Sequence, residues 1–293
     1  MSLNNQKQIV IKQNEEKMLR CQYTARKYYN KAEKMRRISL AISTLSTMTL
    51  IIPNKYPNVN FLIPILVNAL GTLFHCFARR SVEMASEIRN FFDAKVLNLH
   101  PEVYQESQTR KIWERVEKIC SKNDEDFELQ KNKTGHDMPP GVRDWYEFHK
   151  EYKNNEAVVE CQRQNCSCTR KLSLYRLSIS AFLISIFIVI AVLSFAITDT
   201  SLLICLGWLV SLNINLFGFI IDEIKYLNYL NKINTIVSLP DLDKNINQIE
   251  YLQDLICKQR KLLVLEINFL HKKTVKKWSE MNKQIVLNGE EDI

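Results

Sequence analysis

Hydrophobic positions in this chain gather in two stretches, 38–78 and 177–221, and each stretch is a pair of apolar runs joined by a short turn. In the second, Leu177–Ile197 is 21 residues without a charge and Leu202–Ile221 is another 20. At about 1.5 Å of rise per residue, either run as a helix crosses the roughly 30 Å hydrocarbon core of a bilayer. The first stretch is less apolar, with 15 uncharged residues in Ile38–Ile52 and 18 in Phe61–Ala78. Outside these stretches the apolar period is helical. Met18, Cys21, Ala25, Tyr28, Ala32 and Met35 recur every three or four residues, which predicts one long helix over 5–37. Further helices are expected over Ser81–Val96 as a continuation of the second run, over Pro101–Ser121, over Asp222–Val237 and over about Asp243–Met281. The last carries Ile249, Leu252, Ile256, Leu263, Ile267 and Leu270 in register. Lys122–Lys133 reads as a charged, solvated segment, and Met138-Pro-Pro-Gly-Val142 as a helix breaker. No stretch reads as a strand.

The expected fold is therefore an all-α integral membrane protein, with two transmembrane helical hairpins (four spans) and a cytoplasmic helical bundle. Its segments are an N-terminal cytoplasmic helix (1–37), hairpin 1 (38–78), a cytoplasmic helical insert (79–176), hairpin 2 (177–221) and C-terminal cytoplasmic helices (222–293). Six glycines and seven prolines in 293 residues fit long helices better than β-rich architecture. A mean hydropathy of −0.19 is too polar for a chain that is membrane throughout. The two halves repeat basic helix, hairpin, basic helix, as transporter repeats do, without a shared residue pattern.

Charge sets the expected orientation. Of 40 Lys and Arg, Lys55 alone falls in the turns 53–60 and 198–201. The positive-inside bias then places both termini and the long middle segment in the cytoplasm. The net charge of +8 suits a surface beside anionic headgroups, and equally a cytoplasmic pocket for a polyanion. Eight cysteines in this setting do not imply disulfides. The Cys161, Cys166, Cys168 spacing is not that of a zinc site, so no metal is expected. No phosphate-cradling glycine loop, HExxH or nucleophile–base pair is present, and an enzyme with a catalytic centre or cofactor is not expected.

Hairpin 1 carries polar residues on one face of each run. Ser39, Ser43, Ser46 and Thr47 share a face of the first, and Asn68, Thr72, His75 and Arg79 share a face of the second. Such groups avoid hydrocarbon, so Ser43, Thr47, Asn68, Thr72 and His75 suit a water-lined pore. Helix–helix packing accounts for them as well. Gly207, Ser211 and Asn215 in the fourth run form a small-residue packing face.

Several short elements, in order, carry a resemblance. Gln13-Asn-Glu15 and the Ala25, Arg26, Tyr29, Ala32 set lie in the first helix. Phe92-Asp-Ala-Lys-Val96, Asp144-Trp-Tyr146 and Cys161-Gln-Arg-Gln-Asn-Cys166 follow before the third run. With two hairpins around an insert of this length, the chain resembles the SMODS-associated four-transmembrane effector family over nearly its whole length. That resemblance implies a bacterial anti-phage effector encoded beside a cyclic-oligonucleotide synthase. It implies a protein that senses the nucleotide signal, self-associates as a homo-oligomer and permeabilises the membrane. Its partners would then be a cyclic oligonucleotide second messenger and membrane lipid, not a DNA or RNA polymer. Arginine suits phosphate and aromatic rings suit bases, so Arg143, Trp145, Tyr146, Gln162, Arg163 and Asn165 are the candidate ligand-binding residues. The same residues also suit a packed core, with Arg163 paired to an acid such as Glu160. A constitutive small channel or transporter, and a membrane-anchored helical interaction protein, are the competing functions.

Overall fold

A computed structural model describes residues 3–48, 57–135, 137, 141–153, 155–166, 169–197 and 202–264; in the long helices the side chains are described in part. The described residues are helical, with one isolated bridge between Thr134 and Arg143. The helices are α1 (Gln6–Gln13), α2 (Glu16–Met48), α3 (Pro57–Leu97), α4 (Glu106–Lys122), α5 (Asp124–Lys131), α6 (Glu156–Cys166), α7 (Thr169–Ile197), α8 (Leu202–Val237) and α9 (Ile246–Arg260). Among the described residues, no helix is long and apolar enough to cross a membrane. The side chains of Ser46, Thr47, Ser211 and Asn215, singled out in the sequence, fall outside that description.

The helix expected over 5–37 is broken in two. Asn5 opens α1 with a capping box, accepting from the Gln8 amide at 3.0 Å while Gln8 Oε1 accepts from the Asn5 amide at 3.0 Å. Asn14 ends it, because its side chain is taken by a distant loop: Nδ2 donates to Asp144 Oδ1 at 2.7 Å and Oδ1 accepts from the Asp144 amide at 3.0 Å. Asp144 itself sits at φ 48°, a left-handed conformation that Asp tolerates better than most residues. The chain then restarts as α2 at Glu16.

Lys122–Lys133 is charged and largely exposed, as read from the sequence. It contains α5, whose Phe127 is fully buried edge-on against Tyr23 at 5.4 Å between ring centroids. The last helix, however, does not run unbroken through Asp243–Met281. It starts at Ile246 on an Asn245 cap and ends at Arg260, where Lys261 and Leu262 turn. Leu263, 2% exposed, packs with Ala32, Ala78 and Val82 instead, and that contact draws the chain off the helix axis.

The main core joins α1, the first half of α2, the last third of α3, α4–α6, the end of α8 and α9. α4 contributes Ile112, Val116 and Cys120, at i, i+4 and i+8. Along the longest seam in the molecule, α2 lies against α3. Small and polar residues line it: Ser39 and Ser43 are buried, Asn68 is buried, and Ser39 Oγ donates to the Gly71 carbonyl at 2.7 Å. The outer side of α3 is apolar, with Leu62, Ile65, Leu66, Leu70, Leu73 and Phe77 all exposed.

Candidate functional site

The segments singled out in the sequence meet at one tyrosine. Tyr146, buried in the core, exchanges two hydrogen bonds through its backbone with Gln13: its amide donates to Oε1 at 2.8 Å and its carbonyl accepts from Nε2 at 3.1 Å. Its hydroxyl donates to Asp93 Oδ1 at 2.6 Å and accepts from Asn165 Nδ2 at 3.0 Å. Four separate segments are thus joined through a single residue. The other oxygen of Asp93 accepts from Arg260 Nη1 at 2.7 Å and from Gln253 Nε2 at 3.2 Å. Gln162 Nε2 donates to Gln253 Oε1 at 3.2 Å and to the Ile249 carbonyl at 3.0 Å, which ties α6 to α9. Burial and then Asp93 push the Tyr146 hydroxyl well above its ordinary value. Burial lowers the Arg260 guanidinium, but Asp93, Tyr146, Cys257 and Tyr29 together hold the group above its ordinary value. An ionised carboxylate with no exposure is tolerable only because three donors converge on it.

Beside this network lies a cavity of about 200 Å³. Arg36, Arg260, Gln259, Asn165, Tyr29 and Tyr226 are among the residues on its wall. Gln259 is 4% exposed, and its Nε2 donor has no acceptor among the described residues. The wall therefore offers two guanidinium groups, amide donors and two aromatic rings. Glu33, the acid on the same wall, is paired with Arg37.

Arg36 connects the cavity to a cluster of charges at the inner edges of the apolar runs. Glu223 Oε1 accepts from Arg176 Nε at 2.9 Å and from Ser173 Oγ at 2.5 Å, with every partner buried. Next along α8, Asp222 Oδ2 accepts from Arg79 Nη2 at 3.0 Å. Burial lowers the Arg36 guanidinium below its ordinary value; Glu223 opposes that, Arg176 adds to it, and Asp222 opposes it. Each of the four long helices α2, α3, α7 and α8 supplies at least one member of this cluster.

The residues expected to bind ligand are placed in three settings. Tyr146, Gln162 and Asn165 belong to the network, and Asn165 also faces the cavity. Trp145 is half exposed, with the Arg89 guanidinium stacked 3.6 Å from its ring centroid. Arg143 is exposed on the loop bridged to Thr134. Arg163 lies on a different groove, beside Lys150, Tyr152, Asp241 and Asp243, and is 3.8 Å from Glu160. The polar face of hairpin 1 divides as well. Ser43 and Asn68 are buried, His75 is half-buried, and Thr72, exposed, donates to the Asn68 carbonyl at 2.9 Å.

Arg36, Arg176, Glu223, Gln259 and Arg260 were not singled out as site residues from sequence, and Asp93 entered only within the Phe92–Val96 element, although a signal was present for three of them. Arg36, Arg260 and Glu223 each continue a buried register: Ala32, Arg36, Ser39 and Ser43 on α2; Ile249, Gln253, Ile256 and Arg260 on α9; Glu223, Tyr226, Leu230 and Ile233 on α8. A charge that continues an apolar stripe must find a partner inside.

A family model described as the SMODS-associating 4TM effector domain matches residues 7–284. No curated protein and no solved structure matches the chain.

Proposed function

This chain belongs to the SMODS-associating 4TM effector family, and from that premise we propose that it is an anti-phage membrane effector gated by a cyclic oligonucleotide. In this reading the four long helices span the inner membrane in two hairpins, with both termini and the insert in the cytoplasm. What supports the spans is the full sequence: α7 and α8 run through Leu177–Ile197 and Leu202–Ile221, neither of which contains a charge. The same length of α3 that carries Phe61–Ala78 continues for 19 residues into the core, so a displacement at either end is transmitted by one rigid element.

The observation that carries the ligand assignment is the wall of the cavity. Arg36 and Arg260 supply charge-assisted donors for phosphate, Gln259 and Asn165 supply neutral donors, and Tyr29 and Tyr226 supply faces for a base. The groove that holds Arg163 is less suited to an anion, because Asp241 and Asp243 share it. Ligand binding then favours an arrangement in which copies of the chain associate and hairpin 1 opens. Four spans enclose no wide channel, so permeation needs several copies. Of the polar face of hairpin 1, Ser43 and Asn68 are buried, which suits a closed state.

Calorimetric titration of the detergent-solubilised protein with a panel of cyclic di- and trinucleotides tests this. One member should bind, and Gln259→Leu or Tyr29→Ala should weaken it about tenfold or more, while Arg143→Ala and Arg163→Ala leave it within about threefold. The reverse pattern moves the site to the loop and the second groove. Absence of binding by every member removes the gating assignment.

A further inference from the structure

We infer that the cavity takes a single nucleotide of the cyclic oligonucleotide and that the rest of the ring seats in the cavity of a second copy of the chain, so that the ligand itself bridges the copies. The inference rests on the proposed reading of the cavity as the nucleotide site and goes on to how copies come together. Size is the first observation. The cavity measures about 200 Å³. A cavity of about 150 Å³ holds one benzene ring, whereas pockets that enclose a drug-sized ligand run to roughly 300–1,000 Å³. The space therefore suits one base, and a cyclic dinucleotide carries two bases, two sugars and two phosphates.

The wall is fitted to one nucleotide as well. Ala32, Val82 and Leu263 pack together into an apolar floor, and Tyr29 packs against them. Above that floor stands one carboxamide, Gln259, whose Nε2 has no acceptor among the described residues although the residue is 4% exposed. Buried donors are nearly always paired, and the edge of a base offers acceptors. Arg260 follows directly on α9. Its Nη1 is held by Asp93 at 2.7 Å and Asn90 at 3.0 Å, which leaves its other nitrogens for one phosphate. A site with room for half of its ligand is complete only when a second copy supplies the other half.

The level of the cavity suits such a pairing. Arg36 lies two residues before the first apolar run, Val82 four residues after the second and Tyr226 five residues after the fourth. In the membrane reading this is the layer just beneath the bilayer, where neighbours in one membrane meet side to side. Asn30 on the cavity wall is exposed, so the cavity reaches the surface along α2. Lys31 and Lys34 are exposed beside it, without an acid partner among the described residues. Two such faces repel each other when bare, and the phosphates of a ring held between them remove that repulsion. A ring of two like nucleotides presents the same face to both copies, as a closed two-fold pair requires.

The ratio of ligand to chain separates a bridge from a ligand that acts on each copy alone. Detergent-solubilised full-length protein is titrated with cyclic di-AMP, cyclic di-GMP, cyclic AMP–GMP and cyclic tri-AMP, with bound ligand read by calorimetry and particle mass by light scattering. A cyclic dinucleotide that binds should saturate at one molecule per two chains, and cyclic tri-AMP at one per three. Particle mass should rise to a maximum at that ratio. In large excess of ligand it should return to the ligand-free value, because each cavity then takes a ring of its own. The matching nucleoside monophosphate should bind one per chain, leave the mass unchanged and disperse copies already joined. Saturation at one ring per chain overturns the bridge and leaves the gating assignment standing, and so does association that persists in excess ligand. Absence of binding by every member overturns both.

Discussion

Asp93 and Arg260 should be the most strongly coupled pair in the protein, because neither can be removed without stranding the other. Asp93 has no exposure and Arg260 only 12% at its side chain, and their contact is 2.7 Å. Asp93→Asn keeps the shape but removes the charge that balances a buried guanidinium, and breaking one side of such a pair costs about 3–5 kcal/mol. Arg260→Met strands the carboxylate, though the Tyr146 and Gln253 donors still reach it. That variant should therefore cost less, about 2–4 kcal/mol, since hydrogen bonds to a charged group are worth about 1.5–3 kcal/mol. The double variant removes both charges and should cost less than the sum of the two by about 2 kcal/mol or more. Thermal unfolding in detergent, followed by tryptophan fluorescence, reads these as shifts of roughly 2–4 °C per kcal/mol for a chain of this size class. Additivity within about 0.5 kcal/mol would refute the claim that the network is one electrostatic unit.

Two other predictions are independent of the cavity. A Cβ placed on Gly141 would stand 1.8 Å from the Lys133 carbonyl oxygen, a backbone atom that cannot swing aside; Gly141→Ala should cost about 3 kcal/mol, the upper range of overpacking, measured as a loss of thermal stability. Burial pushes the Cys257 thiol up to about 11 from 9.0, so the unfolded chain loses this proton first as pH rises. The stability it contributes is complete below pH 9 and disappears by about pH 11, amounting to about 2–3 kcal/mol at 1.36 kcal/mol per pH unit; Cys257→Ala should flatten the melting-temperature profile across that window.

The helical class and the long helices were legible because apolar periodicity specifies them, whereas the short α5 and α6 were not expected. Boundaries were less legible, and each departure has a local cause. No residue between 5 and 37 forbids a continuous helix; the break at Asn14 comes from Asp144, 130 residues away. Phe127 looked isolated among acids because its partner, Tyr23, lies on another helix. α9 ends where Leu263 finds Ala32 and Val82, and no feature of 243–281 on its own predicts that. The candidate site divides along the same line. Tyr146, Gln162 and Asn165 lie close together in sequence and were singled out from the order of the motifs, one of which also holds Asp93. That Asp93 meets Arg260, and that Arg36 shares a cavity wall with Arg260, only the fold shows.

On the proposed reading the two hairpins have different roles. Arg176, Ser173 and Glu223 satisfy one another at the edge of the apolar runs of α7 and α8. Between α2 and α3 polar groups continue along the seam, through Ser39, Ser43 and Asn68, which are buried there. A helix pair with a polar seam has a second arrangement available to it: separated, the seam can line water at little cost, because hydroxyl and amide groups exchange one set of hydrogen bonds for another. On this proposal the protein opens along α2 and α3.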